Sequence, residues 1–250
     1  DILQAVAAGE LDPDVASARI AALRETGPTT ASDAAASPIT EISIKAGAAR
    51  LIVIGDPAVA EAVAEGPHRM ERQDGTLLIA PNTGDGDYST TPPRSALMNW
   101  LTSVVDRAGQ TLTVRVNPHL PLRVLIVGGS LDLQGVAAAT SVGVEAGAAR
   151  LHGGSGPVQL DVVSGNARVD WVFSGSSAVR ADMGSAQILV RHGSDARVTA
   201  EATLGQATVR TDHGMTKSVG EEPTPEVVAG PGTGTLHASA RMGSVQVTVE

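Results

Sequence analysis

VQLDVVSGNARVDWVFSGSSAVRADMGSAQILVRHGSDARVTAEATLGQATVRTDHG, residues 158–214, places glycine at 165, 175, 184, 193, 205 and 214, most of them beside a serine. The glycines recur about every ten residues, and each interval holds one short alternating apolar segment. The inward rows are Val158, Leu160, Val162; Val169, Trp171, Phe173; Val179, Ala181, Met183; Ile188, Val190; Val198, Ala200, Ala202; and Ala207, Val209. Period-two alternation of this kind is the mark of a strand with one face buried. Two intervals make about twenty residues, which predicts one turn of a coil, with glycine at each corner so that successive coils can stack closely. The intervening positions carry Arg168, Asp170, Arg180, Asp182, Arg191, Arg197, Glu201 and Arg210, mixed in sign, as expected of a solvated wall.

Beyond this stretch, residues 213–234 read as a loop punctuated by Pro223, Pro225 and Pro231, after which the repeat resumes at Leu236, Ala238, Ala240, Met242, Gly243, Val245, Val247 and Val249. Upstream, alternation recurs at Leu112, Val114, Val116 and at Leu122, Val124, Ile126. Leu97, Met98, Trp100, Leu101, Val104 and Val105 instead repeat at helical spacing and end at Gly109, which predicts an amphipathic helix over 95–108 inserted behind an irregular loop at 82–93. Earlier strands are expected around Ile42 and Ile44, Leu51 and Val53, and Leu77 and Ile79, the last after an Asp74-Gly75 turn. Between them, local propensity favours helix from Asp56 to Glu65, although Val59 and Val63 also suit a strand. The hexapeptide AGAARL occurs at 46–51 and again at 146–151, tying the region before the helix to the region after it. Residues 39–250 therefore read as one β-solenoid with insertions.

Ahead of it, Ile2, Leu3 and Val6 end at Gly9, and Asp12-Pro13 caps a second stripe of Val15, Ile20 and Leu23, which predicts a helical hairpin over 1–24. Residues 25–38 (ETGPTTASDAAASP) have no period and read as a flexible linker. The domain reading is hairpin, linker, solenoid.

The chain has 250 residues, 42% of them hydrophobic but only 2% aromatic, so its core must be built from Val, Leu, Ile and Ala. A net charge of −9 without basic runs argues against nucleic acid as a partner. With no cysteine, disulfides and thiolate chemistry are excluded. The densest apolar run, Leu120 to Val127, is broken by Pro121 and Arg123 and is too short to span a bilayer. These features lead to an expected cytoplasmic location with possible membrane association, while the start at Asp1 leaves room for an upstream signal or anchor.

The pattern resembles the bacterial putative-adhesin domains also called Toastrack, which often follow a SHOCT-like helical hairpin. The resemblance rests on Ile2-Leu3, Gly9, Leu11, Pro13 to Ala16, Ile20 and Leu23 in the hairpin, and on Asp74-Gly75-Thr76-Leu77, Val114 to Pro118 and the serial Ser-Gly corners in the solenoid. It implies a right-handed, single-stranded β-helix, no assigned enzymatic activity, and a setting in envelope-stress systems with membrane-embedded partners. The helix around Trp100 and the loop 213–234 depart from the family pattern.

No window matches GxSxG, GxGxxG or a P-loop. His68, His119, His152, His192, His213 and His237 lack metal-ligand spacing and read as surface or corner residues. Asp85 and Asp87 could offer two oxygens to Ca²⁺ but lack a closing ligand set, and read as a solvated loop. Asp161, Asp170 and Asp182 could line one wall like the carboxylates of a β-helical carbohydrate-active enzyme, yet alternating surface charge is the better reading of them.

The expectation is thus a non-enzymatic scaffold or sensor working through protein–protein contacts, with no catalytic residue, cofactor or metal. Leu97, Met98, Trp100, Leu101 and Val104 are its candidate partner-binding residues, unless that helix plugs an end of the solenoid. Homo-oligomers through the hairpin or the solenoid ends are expected alternatives. One such form is a structural polymer or surface adhesin, because the terminal strand Val245 to Val249 shows no polar cap.

Overall fold

A computed structural model of the chain describes residues 38–47, 49–81, 111–220 and 224–250. The expected hairpin (1–24), the linker apart from Pro38, the helix over 95–108 and its five candidate contact residues all lie outside the described residues. Within them the elements are strands: β1 Glu41–Ala46, β2 Ala49–Gly55, β3 Ala62–Glu65, β4 His68–Gln73, β5 Thr76–Pro81, β6 Thr111–Val116, β7 Leu122–Ile126 and β8 Gly129–Gln134. They continue as β9 Thr140–Val144, β10 Gly147–Gly156, β11 Val158–Phe173, β12 Ser176–Val190, β13 Ala196–Thr211, β14 Gly214–Gly220, β15 Val227–Ala229 and β16 Thr235–Val249. The chain is mainly β, and all sixteen strands belong to one sheet.

The pairing is parallel through the body of this sheet, between segments about one turn apart. Gly147 stands in register with Gly165 and Gly165 with Gly184, steps of 18 and 19 residues. Each turn contributes two strand segments, so the rungs build two walls. The first wall runs β5, β1, β7, β9 and then the leading halves of β11, β12, β16 and β13. The second runs β6, β2, β8, β10 and then the trailing halves of the same four long strands. Inward residues form ladders, such as Ile44, Val124, Val142, Leu160, Val179, Ala238 and Ala200 on one wall. Opposite them run Val53, Leu133, Leu151, Val169, Ile188, Val247 and Val209. All fourteen are buried, and each contributes about 1.5–3 kcal/mol for its larger members. Trp171 and Phe173 are fully buried as their strand phase predicts, and the indole Nε1–H donates to the Gly156 carbonyl at 3.1 Å. Gly153 is the extra residue of a bulge in β10, and the ring of Trp171 fills the space that a Cβ at Gly154 would take.

The corner between the walls is a column of glycines: Gly129, Gly147, Gly165, Gly184, Gly243 and Gly205. At Gly165 φ is +133°, and a Cβ there would overlap the carbonyl oxygen of Gly147 on the rung below. The even glycine spacing is therefore a packing requirement between backbones.

Several expectations need correction. The rungs do not follow chain order at either end. β16 pairs with β12 on one side and β13 on the other, so the C-terminal strand is interior and offers no free edge of its own. Likewise β1 and β2 lie inside β5 and β6. The segment 213–234 is not simply a loop: β14 and β15 run antiparallel to β13 and cover it. At the opposite end, β3 and β4 run antiparallel to β6 and β5. Asp56 to Glu65 is no helix, because its backbone groups satisfy those of β6; Asp56 Oδ1 accepts from the Ala58 amide at 2.9 Å, and β3 follows. Asp74 (φ +48°) and Gly75 (φ +78°) make the predicted tight turn between β4 and β5.

Met183 and Met242 do not point inward; they are 46% and 45% exposed at the corner, in register with each other and with Leu204 (66%). In the two AGAARL copies Arg50 and Arg150 point outward and Leu51 and Leu151 inward, but Ala46 is buried where Ala146 is exposed, and the register differs: Arg50 aligns through Ser130 with Ala148, two residues short of Arg150.

Candidate functional site

The outer face of the second wall carries a shallow groove of about 620 Å³. Its cause is a small side chain in a polar column: Ala148 stands between Ser130 and Asn166 and leaves the floor open. Arg50, Arg150 and Arg168 rim it, with Asp132, Asn166 and Ser185. The Ser185 hydroxyl donates to the Asn166 side-chain oxygen at 2.9 Å. Arg150 and Arg168 occupy the same position on adjacent rungs, which puts their Cα atoms about 4.8 Å apart. Like charges directly opposite in a sheet are destabilising.

Most other arginines of the described residues are neutralised. Arg72 pairs with Glu61 (2.6 Å), Arg115 with Glu65 (2.7 Å), Arg123 with Glu41 (3.2 Å), Arg180 with Asp161 (3.5 Å) and Arg197 with Glu226 (3.0 Å). Arg69 meets Glu71 and Arg191 meets Asp170. Among the described residues, Arg50, Arg150, Arg168, Arg210 and Arg241 have no such carboxylate, and the first three of them share this groove. Asp132 adjoins Arg150 in register, but its Oδ1 instead engages His152 Nε2 at 2.9 Å.

The charged column continues to a second groove of about 480 Å³ over the glycine bulge, where Gly135, Gly153 and Gly154 meet Asp170, Arg191 and Glu250. Arg191 donates to both oxygens of Asp170, from Nε to Oδ1 and from Nη2 to Oδ2 at 2.7 Å. Those bonds hold the Asp170 carboxyl below the usual carboxylate range; burial opposes them, and the charges of Arg191, His152 and Arg168 reinforce them.

The three aspartates weighed as a carbohydrate-active set do not converge. Asp161 lies on the first wall with Arg180, Asp170 on the second with Arg191, and Asp182 is exposed before the Gly184 corner. Among the described residues no three His, Asp or Glu side chains gather to hold a metal ion, and no helix is long and apolar enough to cross a membrane. The arginine groove escaped sequence reading because its members are scattered at 50, 150 and 168; the one available signal was the separation of Arg150 and Arg168 by one coil.

No family model matches the chain, and no curated protein matches it. Two solved structures are similar in outline. A putative cell adhesion protein from Clostridium sporogenes is 12% identical, with a TM-score of 0.41 over 86% of this chain and 95% of its own. A putative adhesin from Bacteroides fragilis is 11% identical, with a TM-score of 0.29 over 86% and 93%. Likenesses this faint settle neither family nor function.

Proposed function

We propose that residues 39–250 form a right-handed β-solenoid of the Toastrack kind that serves as a non-enzymatic scaffold or sensor, binding other proteins through its walls. The observation that carries this reading is the stack of parallel rungs held between reversed strands at both ends. Long strands hydrogen-bonded on both sides make a stiff platform, and a contact surface on such a platform loses little conformational entropy on binding. The Ser-Gly corners and the resemblance of the N-terminal residues to a SHOCT-like hairpin support a cytoplasmic, membrane-associated setting such as envelope-stress regulation. Leu97, Met98, Trp100, Leu101 and Val104 join the reading as proposed contact residues.

The test is affinity capture with W100Q/L101Q beside the unaltered chain. Specific protein partners retained by the unaltered chain and lost by the variant, at unchanged circular dichroism, are the expected result. Partners kept by both remove the helix from the reading, and the absence of any specific protein partner contradicts it.

A further inference from the structure

We propose that the groove rimmed by Arg50, Arg150 and Arg168 is a docking site for an acidic peptide segment of a partner protein, whose carboxylates pair with Arg150 and Arg168. The inference rests on the protein-contact reading above and names the chemistry of the contact. Two independent observations carry it. In a chain of net charge −9, three arginines without a carboxylate among the described residues line one groove, while the others around them are mostly paired. Two of the three also stand directly opposite each other on neighbouring parallel strands, an arrangement that repels until an anion bridges it.

The groove's chemistry favours a peptide. Arginine presents a planar fork that takes a carboxylate through two parallel N–H···O bonds. Asn166, Ser185, Ser130 and Gln187 add amide and hydroxyl groups suited to a peptide backbone. A sugar chain would gain from an exposed aromatic platform, and the two aromatic residues of β11, the strand that also carries Asn166 and Arg168, are the fully buried Trp171 and Phe173. Asp132 also lines the groove beside Arg150, where its Oδ1 is held by His152 Nε2 at 2.9 Å; Arg168, whose register neighbours are Arg150 and Gln187, faces no carboxylate on either adjoining strand.

The probe is fluorescein-labelled decaglutamate, followed by fluorescence polarisation at low salt. Saturable binding is expected, weakened roughly tenfold by R150Q/R168Q, the loss expected for two charge-assisted contacts. R123Q/R180Q, which removes the same charge from the other wall, should leave binding within about twofold. R168E alone, a single change at an exposed position, should abolish it and guards against misfolding of the double variant. No saturable binding, equal weakening by both double variants, or stronger competition by inorganic phosphate or heparin than by unlabelled decaglutamate overturns the proposal. Decaglutamate binding with no captured partner defeats the scaffold reading and, with it, the partner-docking role of the groove; captured partners that are indifferent to R150Q/R168Q, with no decaglutamate binding, defeat the groove alone.

Discussion

Replacing Gly165 with alanine drives a methyl group into the carbonyl oxygen of Gly147 and asks a side-chain-bearing residue to hold φ at +133°. Neither partner can yield, since both belong to hydrogen-bonded backbone in the same corner column. Gly165→Ala should cost more than about 2 kcal/mol in urea unfolding. Gly47→Ala, which meets nothing within 4 Å, should stay within about 0.5 kcal/mol of the unaltered chain. Equal effects would mean that the corner is not close-packed. Asp170 gives a pH-dependent counterpart. Its folded carboxyl titrates below its unfolded value, chiefly through the Arg191 hydrogen bonds, so it adds stability above the unfolded pKa of about 3.9 and loses it as pH falls through the folded value. Asp170→Asn should therefore melt lower than the unaltered chain at neutral pH, with the gap closing in acid as the folded carboxyl takes up its proton. A gap independent of pH would assign the effect to packing.

At the level of elements, the exposed edges are the ones most open to unwanted pairing. β4 (HRMERQ) carries His68, Arg69, Glu71 and Arg72 along its outer edge, a charge density that discourages a second sheet from adding there. R69V/E71V should associate with rising concentration in sedimentation velocity; a variant that stays monomeric at every concentration would show that the edge is protected otherwise. How far these elements were readable from sequence follows from what fixes each. The glycine corners and the inward rows were readable, because backbone contact and burial each constrain residue type at a fixed period. Met183 and Met242 were misassigned because the corner turns that phase outward just before the glycine. Asp56 to Glu65 looked helical because alanine and glutamate favour helix locally, whereas the unpaired backbone of β6 recruits the segment as a strand. The reversed strand β14 within 213–234 was hidden by prolines further along the segment.

For the whole molecule, rung order is what one-dimensional pattern cannot supply. β12, β13 and β16 carry equivalent inward ladders and equivalent glycines, so nothing in their side chains says which lies in the middle. The return of the chain does: Asp195 takes hydrogen bonds from the Thr233 hydroxyl and, at 2.6 Å, from the Thr233 amide, and Arg197 Nε donates to the Gly232 carbonyl at 2.9 Å, pinning the start of β16 beside β13. The same order decides the walls, and with them which outward charges become neighbours, which is why the arginine groove appears only once the rungs are stacked. The chain contains no cysteine, so paired substitutions can read that order without background. Ser185 is in register with Ser244, and Ser244 with Gln206, which places Ser185 and Gln206 two rungs apart. Adjacent rungs lie about 4.8 Å apart, inside the reach of a disulfide, and alternate rungs about 9.6 Å apart, outside it. Under mild oxidation, S185C/S244C and Q206C/S244C should close intramolecular disulfides while S185C/Q206C stays reduced. Closure of S185C/Q206C with S185C/S244C left open would contradict the stacking of β16 between β12 and β13.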